Sequence, residues 1–382
     1  MTLAILRETA PSAATLSAKE RMEWLRLSRS ENIGPITFFQ LLSRFGTAAK
    51  ALEAVPELAK RGGKIRPLKL ASAADAEAEI AAHEKIGARL IAKVEADYPP
   101  YLAPLDDAPP LISVLGHPQL MQKPCVAMVG ARNASANAKK FAEELAKQLG
   151  QADYIVVSGL ARGIDTHVHQ GALATGTVAV LAGGVDNIYP PENKALYKEI
   201  AARGCIISEM PLGAEPMAAY FPRRNRIISG ISRGVVVVEA ALKSGSLITA
   251  RFAAEQGREV MAIPGSPLDP RCQGTNKLLK DGATLIESAQ DILDALAQQN
   301  PNVLRQRNDN YQTPVATAPS EQEITEAQRI ILEALSSSPI AVDELVRATK
   351  LETSLVLAVL LELELAGRIE RYRGNQVALT YI

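Results

Sequence analysis

The chain has 382 residues, 42 basic against 42 acidic, so it is too long for one ordinary domain and is not a globally basic nucleic-acid binder; a local basic patch stays open. Hydrophobic residues make up 47% and charged residues 22%, a globular balance, while 4% aromatics excludes a grip built on many stacking platforms. The three cysteines, Cys125, Cys205 and Cys272, are odd in number and match no zinc spacing, so buried thiols in a reducing cytoplasm are expected, with no secretory leader and no apolar run near the roughly 20 residues that span a bilayer.

Residues 1–16 read as a ragged tail. From Ser17 a helical pattern carries Met22 and Leu25 on one side, with Glu20 at capping-box spacing. Asn32-Ile33-Gly34-Pro35-Ile36 then forms a turn before a helix through Phe38, Phe39, Leu41, Leu42 and Phe45, which Gly46 stops. Helix, Gly-Pro turn, helix, glycine, helix predicts a helix-hairpin-helix or sterile-alpha-motif-like domain over 17–85. Such a turn can hold a DNA backbone through its N–H groups, and packing is the other use of the same unit. After an alanine-rich helix, Arg89-Leu90-Ile91 reads as a short strand, and Tyr98-Pro99-Pro100-Tyr101 and Pro109-Pro110 punctuate an extended segment.

Residues 86–299 alternate apolar strand runs with helical patterns, which predicts a doubly wound, Rossmann-like parallel sheet in an α/β domain. The strands are read at 126–129, 155–157, 178–181, 206–207, 235–238 and 260–263. In that architecture ligands bind beyond the carboxyl ends of the strands. Those ends carry Gly130-Ala131-Arg132, then Ser158-Gly159-Leu160-Ala161-Arg162-Gly163-Ile164-Asp165, then Gly183-Gly184 with Asp186, Tyr189, Pro190 and Asn193. Further ends carry Ser208-Glu209-Met210-Pro211, then Phe221-Pro222-Arg223-Arg224-Asn225-Arg226, then Lys243-Ser244-Gly245-Ser246 to Thr249, and Pro264-Gly265. Small residues at a strand-to-helix turn let a backbone approach an anion, and the helix start expected at Thr166 offers unpaired N–H groups. The Ser158 loop is therefore expected to hold one phosphate on its amides. Arg132, Arg162, Arg223, Arg224 and Arg226 are expected to line a groove along the rim, because a guanidinium fork suits bidentate phosphate contact. Lys194, Asn193 and Lys243 are second-tier candidates, and Tyr189 and Phe221 are the aromatics near which a base could sit.

Residues 300–320 read as a linker rich in Asn, Gln, Pro and Thr. Over 321–382, helices at 325–335, 342–349 and 353–366 precede a hairpin around Gly374-Asn375, a winged-helix-like pattern. The third helix carries Glu352, Glu362 and Glu364 and few basic residues, so protein contact or packing is as well supported as DNA contact.

No P-loop and no G-x-G-x-x-G opening the first unit occurs. His167 and His169, two apart on a helix, do not share a face, so no metal is expected there and His169 is expected to pack or cap locally. No nucleophile, base and orienter come together, so no catalytic residue and no cofactor is assigned.

The motifs V-G-x-R, S-G-x-A-x-G-I-D, a glycine turn then D-x-x-Y-P, S-E-x-P, F-P-x-R-N-R-I-I-x-G-L-S, S-G-S-x-x-T-A and P-G occur here in order over about 200 residues as Val129 to Arg132, Ser158 to Asp165, Asp186 to Pro190, Ser208 to Pro211, Phe221 to Ser232, Ser244 to Ala250 and Pro264-Gly265. The chain closely resembles the DNA-processing protein A (DprA/Smf) family. Ala131, Asn137 and Ile231 depart from residues common in it, and none of them removes a charge. The resemblance implies a cytoplasmic, sequence-independent single-stranded DNA-binding protein of natural transformation. Such a protein protects incoming strands, loads the RecA recombinase and forms a homodimer through its central domain, with no enzymatic activity. It carries the phosphate-binding role to Gly130, Arg132, Ser158, Gly159, Ala161, Arg162, Gly163, Lys194, Arg223, Arg224, Asn225, Arg226, Lys243, Ser246 and Thr249. The alternative is a nucleotide-binding enzyme related to the nucleoside-monophosphate phosphoribohydrolases, whose P-G-G-x-G-T-x-x-E motif is not matched in the stretch from Val238 to Arg251.

Overall fold

The structure, a computed structural model, describes residues 15–298, 321–372 and 374–380. The expected tail up to residue 14 and the expected linker lie outside the described residues. The described chain falls into two units: residues 15–17 with 78–298, and residues 18–77 with 321–380.

The N-terminal helices are α1 (Ala18–Arg29), α2 (Pro35–Phe45), α3 (Ala48–Arg61) and α4 (Ala73–Lys85). Pro35 opens α2 where its missing N–H costs nothing, and Gly46 closes it at φ 79°. Thr47 caps α3 by accepting from Lys50 N at 3.3 Å. Trp24, Phe38 and Phe39 meet edge to face at centroid distances of 5.0–6.1 Å and fill the space between α1 and α2.

The larger unit is built on a nine-stranded sheet: β1 (Ala88–Ala92), β2 (Leu111–Gly116), β3 (Cys125–Gly130), β4 (Ile155–Ser158), β5 (Thr177–Val180), β6 (Cys205–Ser208), β7 (Gly234–Val238), β8 (Glu259–Ala262) and β9 (Thr284–Leu285). Its order is β1-β2-β6-β5-β4-β3-β7-β8-β9. The pairs from β6 through to β9 are parallel, and β1 and β2 extend one edge antiparallel. The chain winds outward from β3 to β6, then returns to pair β7 with β3 and winds the other way. This is the expected doubly wound sheet, with its switch point between β3 and β7. The strands β2 and β9 lacked a sequence signal: Pro109-Pro110 masked the start of the first, and the second is two residues long.

The helices between and after the strands are α5 (Ala136–Gln151), α6 (Ile164–Ala172), α7 (Lys194–Arg203), α8 (Tyr220–Ile231), α9 (Gly245–Glu255), α10 (Gln273–Lys280) and α11 (Ala289–Ala297). Strands covered on both faces read as unbroken apolar runs, with alternate residues feeding two cores. Ala127, Val129, Val235 and Val237 enter one core with Ile227 and Ile228 of α8; Val126, Met128, Val236 and Val238 enter the other with Leu145 and Leu149 of α5. Cys125, Cys205 and Cys272 are free, buried thiols, and burial pushes Cys125 up to about 12.

The remaining elements are α12 (Glu321–Ala334), β10 (Ile340–Ala341), α13 (Val342–Thr349), α14 (Thr353–Leu365), β11 (Ile369–Tyr372) and β12 (Gln376–Leu379). Three helices and a sheet of order β10-β12-β11 make the expected winged helix, with a core of Ile331, Leu345, Val356, Val359, Leu360, Leu363 and Val377. No helix among the described residues is long and apolar enough to cross a membrane.

Candidate nucleic-acid interface

Above the carboxyl ends of β3, β4 and β5, beside the switch point, lies a cavity of about 350 Å³. The turn after β3 supplies Arg132 and Asn133, the loop after β4 supplies Gly159, Ala161 and Arg162, and the end of β5 supplies Leu181 to Gly183. Phe221 and Arg224 come from the first turns of α8, and Asn187, Tyr189, Pro190 and Pro216 complete the wall.

Tyr189 and Phe221 meet edge to face at 5.8 Å. The guanidinium of Arg132 lies 5.2 Å from the centre of the Phe221 ring, and that of Arg224 lies 5.8 Å from it. Attraction between a cation and the ring's electron-rich face holds Arg132 toward the cavity although it is exposed. One aromatic pair therefore stands beside two guanidinium groups.

The β4–α6 loop departs from the phosphate-cradle expectation. The helix begins at Ile164, two residues earlier than read, so Asp165 falls in its first turn. The Asp165 carboxylate turns back and accepts from Gly159 N at 3.1 Å and Ala161 N at 3.3 Å. Leu160 N donates to His169 Nε2 at 3.3 Å. Three loop amides thus have an acceptor supplied by the chain itself, and an incoming phosphate would have to displace a buried carboxylate. Burial pushes the Asp165 carboxyl up, opposed by Arg224 and by the two amides. Burial pushes His169 down to about 3, and Arg224 adds to this. The ring is neutral, so Nδ1 donates to Thr177 Oγ1 at 2.8 Å and Thr177 donates on to Val156 O at 2.7 Å. His169 packs and caps locally, as its spacing implied.

Two glycines make this arrangement possible. Gly163 sits at φ 79°, and a Cβ there would lie 2.3 Å from Ala131 O. A Cβ on Gly159 would lie 2.5 Å from Arg224 Nη1.

The arginines of α8 separate into three roles. Arg224 is 6% exposed and forms the cavity floor, with Nη1 donating to Gly159 O at 2.6 Å and Val180 O at 2.5 Å. Burial lowers it to about 10, against the pull of Asp165, so it stays cationic at neutral pH. Arg223 is half exposed and lies 3.5 Å from Glu209. Arg226 turns away from the cavity: it is buried, with Nη2 donating to Glu209 and Nη1 to Asp107 O. The expected groove contact from Arg226 is therefore corrected to an internal ion pair. On a helix the side chains at 224 and 226 point about 200° apart, so one sequence cluster cannot face one groove.

The other predicted residues are distributed unevenly. Of the fifteen, Arg132, Gly159, Ala161, Arg162 and Arg224 line the cavity. Ser158 is fully buried and donates to Met128 O at 2.7 Å. Ser246 and Thr249 are buried in α9, and Asn225 ties α8 to α9 through Gly245 O at 3.3 Å. Gly130 and Gly163 pack under the loops, and Lys243 stands exposed outside the cavity lining. Lys194 lines a neighbouring opening with Asp186, Asn187 and Pro191. Asn193 is internal, with Nδ2 donating to Leu160 O at 2.9 Å. Asn133, Asn187 and Pro216 were missed, because isolated polar residues and a proline carry no sequence pattern.

Glu239, Asp269 and Cys272 place ligand atoms within 4.8 Å of one another. Glu239 already accepts from Ser135 N and Oγ at 2.8 and 2.6 Å, and Asp269 holds Arg271 at 2.7 Å, so the donor set is engaged internally.

Residues 89–297 match the model of the family described as DNA recombination-mediator protein A. The chain belongs to the DNA recombination-mediator protein A family. Residues 18–82 match the DprA-like N-terminal HHH domain and residues 315–375 the DprA winged helix domain. Protein Smf of Synechocystis is 32% identical over 94% of this chain and 98% of its own length. The X-ray structure of DNA processing protein A from Streptococcus pneumoniae superposes with a TM-score of 0.61 at 34% identity, covering 73% of this chain and 98% of that one. A structure of DNA processing protein A from Helicobacter pylori, described as giving insight into its unique single-stranded DNA binding mode, superposes with a TM-score of 0.50 at 29% identity, covering 55% of this chain and 95% of that one.

Proposed function

We propose that this recombination-mediator family member binds single-stranded DNA without sequence preference at the cavity rim, protects incoming strands during natural transformation and loads the RecA recombinase on them, working as a homodimer. The observation that carries the binding step is the pairing of Arg132 and Arg224 with the Tyr189–Phe221 aromatic pair in one cavity at the strand ends. Cations beside a ring suit the two repeating features of a single strand, a phosphate and a base face. The single-strand binding described for the Helicobacter pylori relative supports the same reading.

Arg132 and Arg162 are the proposed phosphate contacts, with Arg223 at the edge. Arg162 is paired with Glu192 at 2.5 Å, both side chains more than half exposed. An exposed pair of this kind contributes little, about 0–1 kcal/mol, so a phosphate can take the place of Glu192. Arg224 is proposed to set the floor and add charge while holding Gly159 and Val180 in place. The Ser158 loop is proposed to shape the cavity through Asp165 and His169 rather than through open amides.

The test is titration of labelled oligothymidylate at several salt concentrations. Arg132→Ala and Arg162→Ala should each weaken binding and reduce the salt slope, by about 0.7 for each phosphate no longer neutralised. Unchanged slopes in both would remove the rim from the binding site. Release of free base from a nucleoside monophosphate, abolished by Arg132→Ala, would instead favour the hydrolase reading.

A further inference from the structure

In a winged helix, the helix preceding the wing is the one placed in the DNA groove, and it needs a polar, outward face. Here α14 has none beyond its first turn. From residue 355 to residue 369 no residue is exposed. One side of α14, with Val356, Val359, Leu360 and Leu363, fills the winged-helix core. Leu361 and Leu365 are buried at 3% and 0% exposure but belong to no part of that core. The sequence Leu355-Val-Leu-Ala-Val-Leu-Leu-Glu-Leu-Glu-Leu365 is apolar nearly all round, the pattern of a helix covered on both sides.

The second cover is the N-terminal helices. Gly62, which ends α3, sits directly on α14: a Cβ there would lie 1.9 Å from Glu362 O and 2.9 Å from Ala366 Cβ. Arg61 Nη2 pairs with the Glu362 carboxylate at 2.8 Å, and the Glu362 side chain is 1% exposed. Asn32, in the turn between α1 and α2, donates from Nδ2 to Leu365 O at 3.1 Å. Gln328 of α12 donates to Arg61 O at 3.2 Å. Arg371 of β11 holds Glu364 at 2.7 Å and reaches Gln40 of α2 at 3.4 Å. Backbone approach, a half-buried ion pair and several side-chain bonds therefore span residues some 300 apart in the chain.

We infer that α14, the helix with which winged-helix modules enter DNA, serves in this chain as the docking surface for its own N-terminal helices. The helix-hairpin-helix and winged-helix modules then stand or fall as one unit, and groove insertion by α14 is closed off. The exposed start of the helix, Thr353 and Ser354 with the N-cap Glu352 before them, carries an acidic residue and no basic one.

Trp24 of α1 is the chain's single tryptophan and reports the N-terminal helices alone. Thermal unfolding of the full chain should be followed by its fluorescence. Leu361→Ala, Leu365→Ala and Arg61→Glu should each lower the Trp24 midpoint by about 4 °C or more. Arg61→Glu combined with Glu362→Arg should recover at least about half of the loss, because only a real contact couples the two sites. A Trp24 midpoint unmoved by the α14 substitutions, or single losses that simply add in the double variant, would overturn the dock. Ser354→Glu is a surface change that leaves the dock intact; duplex affinity should stay within about twofold, and a tenfold fall would show that α14 does enter the groove.

Discussion

Replacing Arg226 separates a folding arginine from a binding arginine within one sequence cluster. Arg226 and Glu209 form a buried pair with side chains 6% and 8% exposed. Asp107 adds a carbonyl acceptor and a carboxylate 3.9 Å from Nε. Burial alone would lower Arg226, yet Glu209 and Asp107 hold it above its usual value, so the group is charged at every accessible pH. Arg226→Ala removes the buried cation from the Glu209 carboxylate and leaves the half-exposed Arg223 3.5 Å from it. Breaking a buried pair on one side costs about 3–5 kcal/mol, a fifth or more of the roughly 5–15 kcal/mol that typically holds a domain. The same principle makes the pair itself a weak net contributor, so Arg226→Met with Glu209→Leu should regain most of the loss. Urea denaturation at neutral pH reads both. Single-strand affinity, measured in buffer where the single variant is still folded, should stay within about twofold of wild type. A variant with an unchanged urea midpoint and a tenfold weaker affinity would show that Arg226 faces DNA and would refute the assignment.

Acid should weaken the core unit through His169. Its folded pKa of about 3 lies below the unfolded value near 6.5, so between those limits the unfolded chain binds a proton that the folded chain refuses. Stability is complete above pH 6.5 and falls as pH drops, by about 2 kcal/mol at pH 5; His169→Gln should flatten this part of the profile in urea titrations from pH 7.5 to 5. Phe221→Ala should lose about 1–3 kcal/mol of single-strand affinity at low and high salt alike, because stacking releases no counterions; a changed salt slope would mean that the ring acts through Arg132. Gly159→Ala should push the Arg224 guanidinium off Gly159 O and Val180 O, costing about 1–3 kcal/mol of stability and weakening binding together; a variant of wild-type stability and affinity would show that the floor tolerates a methyl group.

Periodicity made the sheet legible. Val235 to Val238 and Val126 to Val129 are apolar at every position because both faces of a central parallel strand are covered, and that pattern is local. The rim followed from one topological rule, that ligands sit beyond strand ends, applied to residues visible in order along the chain. Which rim residues face the cavity was not local. Arg224 and Arg226 are neighbours in sequence, and the turn of α8 together with the positions of Glu209 and Asp107 sends one to the floor of a pocket and the other into an ion pair. The Ser158 loop read as an open anion cradle because nothing in one dimension shows that Asp165 folds back onto Gly159 and Ala161.

The sequence by itself determined the alternation of strands and helices, the glycine turns and the family, since these rest on spacing, backbone freedom and ordered motifs. Only the tertiary structure decided which charges are engaged inside the protein and which stand at the cavity, and that the apolar outer face of α14 has a partner in α3. The physical reason is that burial and ion pairing depend on elements brought together across 17 residues for Arg226 and Glu209, and across 301 for Arg61 and Glu362. A hydrophobic period records that a face is covered, but not what covers it.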